Sequence, residues 1–431
     1  MRRVSRRTFI RGAVGTAAGA TVAQSCAVVP TGTAPPSERV LVGVIGLRNQ
    51  GMNDTRAFIR SKQAEIVALC DVDESILMKS AREVENMQGK TPRTVKDFRR
   101  LIEDEDIDAL VIATPDHWHA IPTILACQSG KDVYVEKPLA HNIIEGRAML
   151  DAARKYNRVV QMGTQQRSGR HFERAVEYVR SGKLGKIGLA RAWICHDRPE
   201  IGTPPDSAPP PGVDYDMWLG PAPKRPFNPN RFHYEWHWFW DYGTGEMGNW
   251  GVHHLDIVRW AMNADCPTAV SCTGGKYVFE DMHETPDTHI VTYDYPGFSI
   301  VWEHRLWSTR AIEGMGSGAA FYGSDATLVV DRDGWRVYPD EPAQQPVRGM
   351  GSEQHQRHVH NFIECVKTRQ RPRSDVEEGH KTTVLCHLGN IAFKVNRKLA
   401  FDSSAETFGD DPEANSHLGR EYRAPWTLPK V

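Results

Sequence analysis

The sequence predicts an α/β protein: an N-terminal parallel sheet covered by helices on both faces, followed by an α+β domain with an open, largely antiparallel sheet. Three observations predict it. From residue 38, short β-branched runs alternate with helical patterns, as strands joined by crossover helices require. Those runs are continuously apolar, which means both faces of their sheet are buried. After about residue 165 the texture changes to Pro-rich loops (204–212 and 220–229), longer β-type runs, and frequent Trp and His. The expected division is 1–36 as signal and linker, 37–164 as the first domain and 165–431 as the second.

Taken in order, residues 40–45 form an apolar run ending at Gly46, and a helical stretch follows to about residue 60. Residues 64–70 end at Asp71, 109–113 at Thr114-Pro115, and 133–135 at Glu136-Lys137-Pro138. A fifth strand is expected over 159–162 and a helix over 143–156. Ligands of parallel sheets sit at the carboxyl ends of strands. Gly46, Asp71, Thr114 and Lys137 all fall at such ends, which argues for one shared site. Further on, strands are expected over 289–293, 299–304 and 326–330, and helices over 358–368 and 381–395. Residues 403–431 read as an extended segment that wraps an existing surface.

With 431 residues the chain can hold two ordinary cores. Its 53 Lys+Arg and 54 Asp+Glu nearly cancel, so no nucleic-acid partner is expected. Eight cysteines lie scattered without a CxxC pair, which argues against a zinc ribbon or redox dithiol. His355, His358 and His360 cluster without ligand spacing, and no metal is expected. At the N-terminus, Ser5-Arg6-Arg7-Thr8-Phe9 precedes a mild apolar run over 12–29. That run is too short and polar for a transmembrane span. It reads as an export signal of the twin-arginine type, which carries folded proteins to the periplasm. Cys26 offers a lipid anchor, but Ala23-Gln24-Ser25 matches a lipobox poorly, and cleavage near the Ala-rich stretch is the expectation.

Four motifs carry chemistry. Gly46-Leu47-Arg48-Asn49-Gln50-Gly51 follows the first strand as a dinucleotide fingerprint would, with Arg48 in place of the middle glycine. Asp71 is placed to accept hydrogen bonds from an adenosine ribose, favouring NAD, while Arg48 suits the 2′-phosphate of NADP. Thr114-Pro115-Asp116-His117-Trp118-His119 and Glu136-Lys137-Pro138 end two further strands. Lys137 there suits general acid/base work beside a nicotinamide, its pKa lowered by burial; the rival is a solvated turn. In Gly248-Asn249-Trp250-Gly251-Val252-His253-His254-Leu255-Asp256, Asn249, His253 and Asp256 would share one helical face. His253 suits proton transfer from a hydroxyl; surface histidines at a helix start, or a metal, are the rivals. The aromatic block over 232–240, with Trp238, suits either the C–H faces of a sugar or an apolar lid core.

The ordered set of these motifs resembles the Gfo/Idh/MocA oxidoreductases from about residue 38 to 400. The resemblance implies a Rossmann domain binding NAD (or NADP), a second domain whose open sheet forms homo-oligomers, and a small carbohydrate substrate. It implies Lys137 and His253 as catalytic, with Asn249 standing where many members carry an aspartate, a loss that Glu246 or Asp256 would have to offset. Gly46, Arg48, Asn49, Gly51, Asp71, Thr114, Pro115, Asp116, His117, Trp118, His119, Glu136 and Lys137 are expected at the cofactor. Lys137, Arg167, Trp238, Asn249 and His253 are expected at the substrate. The expected function is hydride transfer from a sugar, cyclitol or glycoside, with a tightly held and recycled cofactor because free dinucleotide is scarce outside the cytoplasm. The alternatives are a redox-neutral glycosidase, as in the NAD-dependent glycosidases of the same superfamily, or a non-catalytic nucleotide- or sugar-binding protein.

Overall fold

The computed structural model describes residues 35–341 and 345–431. The expected signal, its Cys26 and nearly all of the linker lie outside them. Strands β1 (Val40–Ile45), β2 (Ala64–Cys70), β3 (Arg93–Val95), β4 (Ala109–Ile112), β5 (Asp132–Val135) and β6 (Val160–Met162) form one sheet. Its order is β3-β2-β1-β4-β5-β6, with every pair parallel. This is the doubly wound dinucleotide-binding order, whose crevice opens where β1 and β4 lead their crossovers to opposite sides.

The continuous apolar runs have the predicted cause. Val42, Val44 and Val111 pack on one face with Phe58 of α1 (Gln50–Arg60) and Leu77 and Val84 of α2 (Glu74–Gln88). Ile45, Leu110 and Ile112 pack on the other with Ile121 and Ile124 of α3 (Ala120–Gln128) and Met149 of α4 (Ile143–Lys155). Local signals set the helix ends. Asp73 accepts the Ser75 and Ile76 N–H groups to start α2, and Gly89, at φ +73°, ends it. Asn142 accepts the Glu145 N–H to start α4.

The second sheet contains β7 (Leu189–Cys195), β8 (Ala269–Gly275), β9 (Thr288–Tyr295), β10 (Phe298–Arg305), β11 (Ser317–Tyr322), β12 (Ala326–Val330), β13 (Gly334–Pro339), β14 (Val347–Met350) and β15 (Leu399–Ala400). Their order is β14-β13-β12-β11-β7-β10-β9-β8-β15. The pairs are antiparallel except β7 with β10, which runs parallel. Helices α5 (Arg170–Arg180), α6 (Val252–Met262), α7 (His355–Thr368) and α8 (Val376–Val395) complete the fold.

Two of these helices tie the sheets together. α7 returns to the first sheet, where Phe362 meets Phe58 and Tyr134 edge-on at ring-centroid distances of 5.9 and 5.8 Å. α8 is buried on nearly every side, as a helix apolar all round should be. It packs on α4, α6 and β8. The final segment, expected to be extended, instead runs as a series of turns and irregular chain around one short helix, Pro412–Asn415. It lays Trp426 edge-on against Trp118 at 4.7 Å.

Candidate active site

The β1–α1 turn explains its own glycines. Gly46 has φ +86°, and a Cβ there would lie 2.5 Å from the Ala113 carbonyl oxygen. A Cβ on Gly51 would meet the Gly46 carbonyl oxygen at 2.0 Å. Neither position admits another residue without opening the turn. No side chain caps α1, which leaves its positive dipole end for an anion.

A cleft of about 350 Å³ runs along the carboxyl ends of the first sheet. Gly46, Arg48, Asn49, Asp71, Thr114, Pro115, Trp118, Glu136, Lys137 and Asn249 line it, as do Phe232, His233, Tyr234, Trp236 and His237. Asp71 accepts the N–H of Leu47 at 2.9 Å and of Asp73 at 3.0 Å. Burial pushes its carboxyl up to about 6. A glycine-walled turn, an uncapped helix end and a fixed carboxyl with further acceptor capacity suit the pyrophosphate and ribose of a dinucleotide.

Several predicted contacts are scaffold instead. Gly51 lies under the turn rather than in the cleft. Asp116 is buried and accepts the Thr244 hydroxyl at 2.8 Å; burial pushes it up to about 7. The His117 ring nitrogen lies 2.9 Å from the Trp218 carbonyl. The His119 ring spans the carbonyls of Thr114 (2.9 Å) and Pro138 (2.7 Å), tying two strand-end turns together. Of this loop only Thr114, Pro115 and Trp118 reach the cleft.

A second cavity, of about 280 Å³, shares Gln50, Glu136, Lys137 and Asn249 with the cleft and adds Gln165, Trp250, His253, Arg332, Gln354 and His355. Lys137 stands where the two meet. Its Nζ donates to both the carbonyl and the Oδ1 of Asn249 at 3.0 Å. Asn249 in turn donates through Nδ2 to Glu246 at 3.3 Å, and Glu246 is held by Arg198 at 2.9 Å. The carboxylate can only accept and the ammonium can only donate, so the amide has one usable orientation. Burial lowers the Lys137 pKa, with the nearby carboxyls of Glu136, Asp116 and Glu246 opposing it.

The single helical face expected for Asn249, His253 and Asp256 is not formed. Met247–Gly251 is a π-turn, and α6 begins after it. Asp256 is taken by Arg167, at 2.7 and 2.9 Å, and by the Thr382 hydroxyl at 2.8 Å. Arg167 also meets Glu378 at 3.1 Å. Arg167 is therefore a buried ion-pair partner, not a residue of either cavity. Neither Glu246 nor Asp256 touches His253, whose buried Nδ1 has no partner among the described residues. Burial, then the charges of Arg332 and Lys137, hold the His253 pKa well below the ordinary value. The ring is neutral at neutral pH.

Trp238 also belongs to the scaffold. It donates to Glu235 at 2.6 Å inside an aromatic cluster with Trp218, Phe232, Phe239 and Tyr242, while its neighbour Trp236 faces the cleft. His355, from the histidine cluster without ligand spacing, pairs with Asp54 at 2.8 Å. Gln50 bridges Asp54 (2.9 Å) and Glu136 (3.5 Å), and Gln165 donates to Glu136 at 2.9 Å. Burial, then the adjacent Asp54, pushes Glu136 up to about 8. Gln165, Arg332 and Gln354 carry no local sequence signal; they come from loops that only the fold brings to the site.

The α8 helix holds the turns beside Lys137 and Asn249 in place. Thr383 accepts the Leu139 N–H at 3.1 Å, the His387 ring lies 3.1 Å from the Ala140 carbonyl, and Asn390 donates to the Thr244 carbonyl at 2.9 Å.

Fold and site together define a two-domain dinucleotide-binding protein with a lysine–histidine pair at the domain junction. The profile of the oxidoreductase family, NAD-binding Rossmann fold, matches residues 40–164. That of the family's C-terminal alpha/beta domain matches residues 199–302 and 342–428. The chain belongs to the Gfo/Idh/MocA oxidoreductase family. An alpha-N-acetylgalactosaminidase from Shewanella oneidensis is 27% identical over 216 residues, 46% of this chain and 47% of that protein. The chain thus spans under half the length of the curated relatives it matches. Levoglucosan dehydrogenase in complex with NADH and levoglucosan has a similar fold, with TM-score 0.66 and 17% identity over 84% of this chain and 99% of that one. So does the aldose-aldose oxidoreductase from Caulobacter crescentus complexed with glycerol, with TM-score 0.63 and 19% identity over 84% of this chain and 100% of that one.

Proposed function

We propose that this chain is an exported NAD-dependent oxidoreductase that acts on a carbohydrate hydroxyl and retains its cofactor between turnovers. The observation that carries the reading is Lys137, anchored on Asn249, at the meeting point of the dinucleotide cleft and the cavity that contains His253. The β1–α1 turn and Asp71 would hold the dinucleotide, and the buried acid at the end of β2 favours the ribose diol of NAD over a 2′-phosphate. When bound, NAD supplies the hydride acceptor. The chain's own residues manage the proton. Neutral His253 accepts it from the reacting hydroxyl. Lys137 donates a hydrogen bond to the same oxygen and stabilises the negative charge that develops there. Asn249, locked by Glu246, aims the lysine.

The case for retention rests on reading Arg6-Arg7 as a folded-export signal. A folded-export route lets the dinucleotide be bound before transport, and a nanomolar Kd, about -12 kcal/mol, gives the residence time required. Protein isolated from the periplasm without added nucleotide is expected to release stoichiometric dinucleotide on denaturation, read by absorbance and mass spectrometry. An empty site, with activity wholly dependent on added NAD, overturns recycling.

A second reading is favoured by the glycosidase relative. In a redox-neutral glycosidase, oxidation of a ring hydroxyl acidifies the neighbouring C–H, the aglycone is eliminated, water adds, and reduction restores the sugar. The same Lys137 and His253 would serve it. Product analysis separates the two: free aglycone with no net oxidation marks the glycosidase, and an oxidised sugar with its glycosidic bond intact marks the dehydrogenase.

A further inference from the structure

The second cavity contains a positive charge that the chemistry above does not use. Arg332 lies on the turn between β12 and β13 and lines this cavity with Lys137, Asn249 and His253. Its guanidinium carbon lies over the Trp250 indole, 4.5 Å from the ring centroid, a cation–π contact that holds the group while leaving its N–H donors available to a ligand. Among the described residues no carboxylate pairs with it. Arg167, Arg198 and Arg259, by contrast, are each neutralised by an acid. The adjacent Asp331 does not pair with it; its Oδ1 accepts the backbone N–H groups of Asp333 and Gly334 within the turn.

The other charges of the cavity do not cancel it. Burial, then the adjacent Asp54, pushes the Glu136 carboxyl up, which disfavours its negative charge. Arg332 lowers the pKa of both His253 and Lys137, so its charge reaches the reacting groups. The residue is exposed as a whole, yet desolvation pulls its own pKa down. Both fit a residue on an exposed turn whose guanidinium lies along the cavity wall.

We propose that Arg332 is a specificity-determining residue that selects a sugar bearing an oxyanion substituent, a carboxylate foremost, by bidentate hydrogen bonding at the mouth of the second cavity. The proposal rests on the carbohydrate reading above and names its substrate class. A planar guanidinium with free edges matches a planar carboxylate in two parallel hydrogen bonds. A neutral hydroxymethyl group in the same place would leave the guanidinium without an anionic partner.

The test is direct binding by calorimetry to the full-length, dinucleotide-loaded protein, which needs no turnover. Matched pairs are used: glucose with glucuronate and galactose with galacturonate, plus the 6-sulfate and 6-phosphate esters. Each acid is expected to bind roughly 10- to 100-fold tighter than its neutral partner, the scale of hydrogen bonds to a charged group. Arg332→Gln is expected to erase that ratio, and Arg332→Lys to restore part of it. Tighter binding of the esters than of the uronates, lost in Arg332→Gln, would assign the oxyanion as an ester. Equal binding of acid and neutral partners, no binding of either, or an acid preference that survives Arg332→Gln overturns the proposal. Arg332-dependent acid binding without any cofactor reduction or aglycone release would leave this inference standing and overturn the oxidoreductase reading.

Discussion

At the scale of single residues, the candidate chemistry depends on which partners are already taken. Asp256 is absent from the reacting set because Arg167 and Thr382 hold it. Glu246 is present only at one remove, through Asn249. His253 is left without a carboxylate, neutral and available as a base. Lys137→Ala and His253→Ala are each expected to lower turnover by roughly 10²-fold or more, the scale of a general acid/base group. Folding and dinucleotide content should remain; full activity in both variants sinks the assignment. Asn249→Asp tests the anchor through the pH profile. A carboxylate 3.0 Å from Nζ favours the ammonium form, so the pH at which Lys137 loses its proton should rise. An unchanged profile would mean that Asn249 does not set the state of Lys137.

At the scale of elements, the β1–α1 turn and α8 contrast. The turn was legible because its constraint is local: two glycines five positions apart, each facing a carbonyl that allows no Cβ. Gly51→Ala should force the turn open, cost about 1–3 kcal/mol, and abolish dinucleotide retention. Thermal melting and nucleotide content after purification report both, and normal retention would contradict the role given to the turn. The register of α8 was not legible. Its residues 381–395 read as helical, but nothing local shows that Thr383, His387 and Asn390 reach the turns beside Lys137 and Asn249. β7 and β11 escaped for a related reason. Arg191 interrupts the first, and small residues in Ser317–Tyr322 weaken the second; both are held in place by their neighbours in the sheet.

For the whole molecule, buried histidines dominate the acid response. His117, His254 and His387 are held at about 3, and His119 and His358 at about 4, burial being the first cause in each. Unfolded, each returns to about 6.5. Above that pH both states are neutral and these groups contribute nothing. Below it the unfolded chain binds protons that the folded chain refuses, and stability falls. Asp116 and Glu136, raised to about 7 and 8, act in the opposite sense. They keep protons on folding that the unfolded chain releases above about 4, so they add stability as pH falls. The histidines are the more numerous. Unfolding free energy, from urea titrations, should therefore drop between about pH 6.5 and 4.5 by more than about 1.4 kcal/mol per pH unit, the slope for one proton. A flat profile across that range would mean these rings are not held neutral.

By itself the sequence determined the parallel sheet, its ligand-bearing edge and the lysine at that edge. Those properties follow from apolar runs, strand-end residues and short motifs, all encoded within a few positions of one another. The tertiary structure alone decided that Arg167 and Trp238 are scaffold, that Asp116, His117 and His119 brace the turns instead of lining the cleft, and that Arg332 faces the second cavity. Whether a charged side chain is spent or available depends on the partner that meets it. Those partners lie far away in sequence: 89 positions separate Arg167 from Asp256, and 112 separate Lys137 from Asn249. Only the packing of two sheets around α8 brings such groups within hydrogen-bonding reach.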